Sequence, residues 1–163
     1  MKKIVTMLVL AFALLGAGAA LAGEKAWLDL ENCGMCKNLL ADKDLFEHMT
    51  WDTYLLSNGS MEVTTYPASY DERFKKLMAT FEACGAKMMS GEQIPMCGMC
   101  NSYGQLMMAG AKMDQVQTKA GWVTVMTSQD PKVVAMIRTH AERTIEEYAK
   151  YAAANGGAHE HAH

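Results

Sequence analysis

Two long stretches of the chain place apolar residues at helical spacing. The first stripe consists of Phe74, Leu77, Met78, Phe81 and Met88. The second stripe consists of Val133, Ile137, Ala141, Ile145 and Tyr148. Apolar side chains three and four residues apart lie on one face of a helix, so each stripe predicts a long amphipathic helix with one buried face.

The residues in front of each stripe carry signals for a helix start. Ser69-Tyr70-Asp71-Glu72 fits a capping box, in which a serine and a later acidic residue bond to free N–H groups. Asp130-Pro131 offers a capping carboxylate followed by proline at the first helical position. We therefore expect side-chain caps at the starts of both long helices.

Two pairs of short runs with alternating β-branched residues come before the long helices. Residues 51–56 and 61–66 flank Asn58-Gly59, a dipeptide typical of tight hairpin turns. Residues 114–118 and 122–127 flank Lys119-Ala120-Gly121 in the same way. The pattern predicts two β-hairpins, one before each long helix.

A repeated tetrapeptide opens each half of the chain. Cys-Gly-Met-Cys stands at residues 33–36 and again at residues 97–100. A short stretch with helical character follows each copy, at residues 37–48 and 101–112, and Met49 and Met113 occupy matching positions behind them. The order of turn, short helix, hairpin and long helix therefore occurs twice, which indicates an internal duplication.

This order of elements predicts an α+β fold built from two α-β-β-α repeats. The repeats span residues 23–91 and 92–152. A two-stranded hairpin is only marginally stable in water, so we expect the two hairpins to join. The predicted architecture is one globular domain in which a four-stranded antiparallel sheet packs with helices.

The two ends of the chain have a different character from the predicted domain. Residues 1–22 combine Lys2 and Lys3, a nearly continuous apolar run and a small-residue cleavage site, which are the features of a signal peptide. We therefore expect a secreted protein, periplasmic or extracellular, with no membrane attachment after cleavage. Residues 153–163 lack apolar periodicity and include three histidines, so we expect a disordered tail with weak metal-binding character.

Charge and missing motifs exclude several classes of function. Without Lys2 and Lys3, 13 of the 15 basic residues remain against 18 acidic ones, a formal net charge of −5. With no basic patch, nucleic acid is not an expected partner. The chain has no Gly-x-Ser-x-Gly, no glycine-rich phosphate loop and no His-Glu-x-x-His, so the sequence favours a binding protein over an enzyme.

The candidate chemistry lies in the four cysteines of the repeated tetrapeptide: Cys33, Cys36, Cys97 and Cys100. A turn that feeds a helix lowers the pKa of a thiol, because backbone N–H groups and the helix dipole stabilise the thiolate. Four thiolates in two such turns suit tetrahedral Zn(II), and thiolates with thioether neighbours suit Cu(I). The pattern therefore predicts a site at which these cysteines bind a soft metal ion. A metal-donor protein is then an expected partner.

Methionines beside these cysteines favour Cu(I) over Zn(II). Met35 and Met99 lie inside the two turns, and Met96 flanks the second turn. Thioether sulfur is a soft donor that selects Cu(I), so these three residues are further candidate ligands. Methionine also fills irregular gaps in cores, and that role is the more common one for a single methionine. Met35 and Met99 differ in that they recur inside both turns.

Two other functions use the same cysteines. The first is a thiol–disulfide oxidoreductase with a redox partner protein, because Cys-x-x-Cys at a helix start is the usual geometry for thiol exchange. Its usual context is a strand directly before the motif, and only residues 25–32 could supply one. The second is an interaction module held by disulfides, either Cys33–Cys36 with Cys97–Cys100 or cross-links between the halves.

The remaining cysteine and two histidines are less informative. Cys84 has no counterpart in the second half, and its spacing from Phe81 predicts a buried, inert thiol. His140 occupies the helix position that matches Phe81, so we expect a core histidine. His48 stands at the predicted end of a short helix, where it would cap free carbonyl groups.

Overall fold

The computed structural model describes residues 25–154 of the chain, so the predicted signal peptide and the tail beyond residue 154 lie outside the described residues. Within this range the protein has four α-helices and one four-stranded antiparallel sheet, which confirms the predicted α+β fold. The helices are α1 (Lys43–His48), α2 (Asp71–Met89), α3 (Gly98–Met108) and α4 (Pro131–Ala154). The strands are β1 (Thr50–Leu56), β2 (Gly59–Thr65), β3 (Lys112–Thr118) and β4 (Gly121–Thr127).

The two hairpins join through their return strands, and the strand order is β1-β2-β4-β3. In the central pair, Gly59 lies opposite Thr127 and Thr65 lies opposite Gly121. This register relates β2 to β4 by a two-fold rotation about an axis perpendicular to the sheet. The single sheet confirms the predicted joining of the hairpins, whereas a duplication as the origin of the two halves stays a prediction.

Both hairpin loops end one residue earlier than predicted. Ser57-Asn58 and Lys119-Ala120 form the loops, and each following glycine is already the first residue of a return strand. A Cβ atom at Gly59 would overlap the carbonyl oxygen of Met126 on the neighbouring strand. The glycine is therefore required by close contact between the two central strands rather than by the turn.

The two long helices begin in different ways. α4 has the predicted cap, since the Asp130 carboxylate accepts a hydrogen bond of 2.8 Å from the Lys132 N–H group. The capping box predicted at Ser69 is wrong, because that residue lies inside a 3₁₀ turn, Ala68–Tyr70, and no side chain caps α2. The 3₁₀ turn takes up the positions from which the serine would have to reach the helix.

Two apolar clusters hold the helices against one face of the sheet. The first cluster comprises Leu45, Met49, Tyr66, Phe74 and Leu77. The second cluster comprises Leu106, Ala111, Met126, Val133 and Ile137. The stripes predicted for the long helices thus supply buried residues to both clusters. Among the described residues, no helix combines the length and apolar character needed to cross a membrane.

Candidate metal centre

The four predicted cysteines meet at one buried position. Cys33 and Cys36 lie in a loop that runs into a 3₁₀ turn (Cys36–Asn38), while Cys97 occupies the N-cap position of α3 and Cys100 lies in the first turn of that helix. All four sulfur atoms lie within 4.8 Å of one another. Their exposed fractions are 1%, 2%, 4% and 9% in chain order, so solvent has almost no access to them.

The spacing of the sulfur atoms fits tetrahedral coordination. Cys36 Sγ lies 3.3 Å from Cys100 Sγ and 3.7 Å from Cys97 Sγ. Four thiolates around one ion at about 2.3 Å would be separated by about 3.8 Å. Both of these distances join the two turns, so a bound ion would link the two halves of the chain.

Each turn is supported by the chain segment that precedes the other turn. The Gly34 N–H group donates a 2.7 Å hydrogen bond to the Pro95 carbonyl, two residues before Cys97. In return, the Gly98 N–H group donates 2.9 Å to the Ala26 carbonyl, and the Met99 N–H group donates 2.9 Å to the Trp27 carbonyl. We call this arrangement the crossed brace, and it fixes the two thiol pairs relative to each other.

The glycine inside each turn is explained by the crossed brace. A Cβ atom at Gly34 would overlap the Cγ2 methyl of Ile94. A Cβ atom at Gly98 would lie 3.1 Å from the Cα atom of Trp27, which is closer than Cβ contacts normally allow. Both turns therefore need glycine because a neighbouring segment packs directly on them.

Apolar side chains surround the cysteines. The partly buried residues packed against the cluster are Leu28, Leu30, Met35, Met96 and Met99. The structure thus brings all three candidate methionines next to the thiols, and their role as ligands stays a prediction. Met99 Sδ also lies 3.7 Å from the hydroxyl of Tyr148, whose pKa burial raises well above its usual value.

Trp27 also contributes to the site, although no pattern in the sequence predicted it. Residues 25–32 form no strand, and Trp27 is 8% exposed and packs over the second turn. Its indole ring lies 4.4 Å from the Arg143 guanidinium and 5.5 Å from the His140 ring. The indole Nε1–H group is buried without a hydrogen-bond partner among the described residues. A tryptophan close to the first cysteine was the only signal in the sequence.

The pKa values of Cys36, Cys97 and Cys100 are shifted in different directions. Hydrogen bonds from Cys100 and then Cys36 lower the pKa of the Cys97 thiol strongly. Hydrogen bonds to Cys36 and Cys97, together with burial, raise the pKa of Cys100. For Cys36, the contact with Cys100 lowers the pKa, but the bond to Cys97 and burial outweigh it, so the pKa is raised. Cys97 is therefore deprotonated more readily than Cys36 or Cys100, because neighbouring thiols donate hydrogen bonds to its thiolate.

The remaining candidates lie outside the four-sulfur cluster. Cys84 is half-buried rather than buried as predicted, and its thiol lies 3.7 Å from the carbonyl of Gly34. His140 is half-buried, with Nδ1 3.0 Å from the Ser102 hydroxyl, and burial lowers its pKa to about 4. His48 ends α1 as predicted, and its Nδ1 lies 2.7 Å from the Asp44 carbonyl.

All five cysteines are free thiols, so none of the disulfides considered from the sequence is formed. Comparison with known proteins gives no family: no family model, curated protein or solved structure matches this chain significantly. The chemistry of the donor set is therefore the basis for assigning a function. Four buried cysteines within metal-binding distance are compatible with binding of a soft metal ion.

Proposed function

We propose that this protein is an exported soft-metal-binding protein that holds Cu(I), or alternatively Zn(II), between its two Cys-Gly-Met-Cys turns. The single observation that carries the proposal is the convergence of Cys33, Cys36, Cys97 and Cys100 to within 4.8 Å from two distant parts of the chain. Its role would be the trafficking, buffering or sensing of the metal, with export resting on the features of residues 1–22.

Burial of the thiols supports binding over thiol exchange. An oxidoreductase must present a thiolate to the disulfide of its partner, and reactive cysteines are accordingly accessible. Here the most exposed of the four, Cys100, is only 9% exposed. In addition, sulfur atoms of different turns approach to 3.3 Å, between Cys36 and Cys100, whereas a Cys-x-x-Cys oxidoreductase uses the two thiols of a single turn.

Charge and donor type support Cu(I) as the first candidate. A monovalent ion held by two thiolates leaves one net negative charge, whereas Zn(II) held by four thiolates leaves two. Burying uncompensated charge in an apolar site is unfavourable, and the surroundings of the cluster are leucine and methionine side chains. The adjacent thioethers of Met35, Met96 and Met99 are also donors that prefer Cu(I).

The test is metal stoichiometry on protein purified without oxygen. Wild-type protein is loaded with Cu(I) or Zn(II), excess metal is removed, and bound metal is measured by mass spectrometry alongside a count of free thiols. We expect one ion per chain, lost in Cys36→Ser and in Cys100→Ser. Cys84→Ser is the matched control, because this cysteine lies near the first turn but outside the four-sulfur cluster, and it should retain the ion.

Two outcomes would overturn the proposal. The first is absence of bound metal together with a reversible disulfide whose reduction potential lies between about −270 and −120 mV, the range of thiol–disulfide oxidoreductases. The second is metal binding that survives both serine variants, which would place the ion elsewhere in the chain. Competition between the two ions then decides whether the site has the higher affinity for Cu(I) or for Zn(II).

A further inference from the structure

The sheet has one face covered by helices and one face that no helix within residues 25–154 covers. Residues paired across strands share a face, so the register assigns each side chain. Trp51, Trp122 and Met126 lie on the inner face and contribute to the two apolar clusters. No residue of the opposite face belongs to an apolar cluster of the described residues. We call this opposite side the outer face.

The outer face is apolar at its centre. Its central residues on β2 and β4 are Met61, Val63, Val123 and Val125, all partly exposed. On the edge strands Tyr54 is 45% exposed and Val116 is 57% exposed, and the register places them on the same face. A single exposed apolar side chain is ordinary, but six in one contiguous patch are typical of an interaction surface.

Charge is confined to the margin of the outer face. Asp52 lies on the edge strand β1, and Lys112 and Asp114 lie on the edge strand β3. The two central strands place no charged side chain on this face, since Glu62 points to the inner side with Thr124. An apolar centre with a polar margin of both signs is the anatomy of a protein–protein interface.

We propose that the outer face packs against the outer face of a second copy of this chain, forming a two-fold symmetric dimer. The register between β2 and β4 sets Met61 and Val63 beside Val125 and Val123, so the middle of the face is apolar throughout, and an isologous contact places this patch against the same patch of the other copy. Rows of valine on two such faces interdigitate when sheets pack about 10 Å apart. The margin also carries both charge signs, so it does not oppose contact between like faces.

The size of the patch predicts a reversible dimer. Four strands of seven residues span about 19 by 23 Å, or about 440 Å² per copy in projection, from the usual strand spacings. Two copies therefore bury about 900 Å² in projection, close to the roughly 1,000 Å² that marks the smallest specific interfaces. Association should accordingly depend on concentration in the micromolar range rather than be permanent.

The test is sedimentation equilibrium of the metal-loaded protein, with and without residues 1–22, across about 1 to 500 µM. We expect a monomer–dimer equilibrium that Val63→Lys weakens at least tenfold. Val63→Thr keeps the β-branched shape and strand preference, so it tests the same contact if the lysine variant fails to fold, with an expected loss of several-fold. Met108→Lys is the control, because Met108 is 82% exposed but belongs to α3 rather than to a strand of the sheet.

Three results would overturn the dimer. One is a monomer at every concentration, which would leave the face to a different protein. Another is a dimer that both Val63 variants leave unchanged while circular dichroism shows them folded. The third is association only when residues 1–22 are present, which would assign the contact to that segment.

Discussion

The two Cys-Gly-Met-Cys turns have the same four residues but different structural settings. The second turn starts α3, with Cys97 as the cap and the backbone of an eleven-residue helix behind it. The first turn runs into 3₁₀ turns instead, and the Asn38 side chain donates to the carbonyls of Gly34 and Met35 at 3.0 and 2.9 Å. One turn is ordered by a helix and the other by a side chain.

This difference shows what the tetrapeptide itself provides. It brings two thiols close together, whereas the elements around it decide where the pair points. The crossed brace then positions the two pairs, because Pro95 holds the first turn and Ala26 holds the second. Since each turn depends on the segment before the other, neither half should form its thiol pair correctly alone.

The largest expected effect comes from removing one thiol from either turn. A ligand that binds only the folded state stabilises it by about 2.7 kcal/mol at a free concentration one hundred times its dissociation constant. We expect this metal-dependent rise in melting temperature to disappear in Cys36→Ser and in Cys100→Ser alike. Thermal unfolding with and without added Cu(I) or Zn(II) measures it.

Cys84→Ser serves as the control in this experiment and should keep the full metal-dependent rise, because its sulfur is not part of the four-sulfur cluster. A rise lost in only one of the two serine variants would contradict a site shared equally by both turns. It would mean that a single turn binds the ion.

The next largest effect is expected from adding a methyl group to either glycine. Gly34→Ala and Gly98→Ala should each destabilise the fold by about 1–3 kcal/mol, as overpacking does. The obstacles differ: the methyl of Ile94 blocks Gly34, whereas the backbone of Trp27 blocks Gly98. Ile94→Ala should therefore restore much of the stability lost in Gly34→Ala, measured by denaturant unfolding.

Gly98→Ala has no equivalent rescue, because trimming a side chain does not move a Cα atom. Ile94→Ala combined with Gly98→Ala is the matched control, and the two changes should add. Rescue of both alanine variants by Ile94→Ala would show that the two turns are crowded by one common contact, contrary to the crossed brace.

The sequence predicted those parts of the fold that depend on local periodicity. The stripe containing Val133 and Ile137 placed α4, and alternating β-branched residues placed all four strands. The reason for Gly59 was predicted less well. This glycine packs against a strand more than sixty residues later in the chain, and the residues next to it in the sequence do not indicate that contact. The local rule for Asn-Gly turns therefore attributed Gly59 to the turn, whereas tertiary packing is what requires it.

For the candidate site, too, the sequence predicted the local features and not the tertiary contacts. The spacing of cysteines predicted two thiol pairs, but not that they would meet, because that depends on how the loops pack at one end of the domain. Trp27 and the Ala26 carbonyl were missed for this reason, since a backbone acceptor and a buried ring have no motif. The capping box at Ser69 failed because a 3₁₀ turn competed for the same residues.

A smaller effect distinguishes the two long helices by pH. His140 on α4 matches Phe81 on α2, and burial lowers its pKa to about 4, below the value of about 6.5 in an unfolded chain. As pH falls from about 6.5 to 4, the unfolded chain therefore binds a proton that the folded one does not, and stability is lost. His140→Phe should remove this part of the pH dependence of the melting temperature.

The neighbouring carboxyl of Glu62 affects the pH dependence of stability in the opposite direction, so the experiment needs a control for it. Glu62 lines the same cavity of about 70 Å³ as His140, with Tyr103 nearby. Burial raises the pKa of the Glu62 carboxyl, so its contribution to the free energy of unfolding decreases as pH rises. Glu62→Gln should therefore steepen the loss of stability towards acid, while His140→Phe should flatten it. Equal slopes in wild type and His140→Phe would show that this histidine is not buried neutral.

The smallest expected effect tests the different starts of the two long helices. Asp130→Ala removes a carboxylate that accepts from the Lys132 N–H group, and loss of such a cap costs about 1 kcal/mol. Ser69→Ala should change the free energy of unfolding by much less, because no side chain caps α2. Denaturant titration of the two variants under the same conditions measures the difference. Equal losses would restore the capping box at Ser69, since only a bonded serine hydroxyl would make its removal as costly as that of the aspartate.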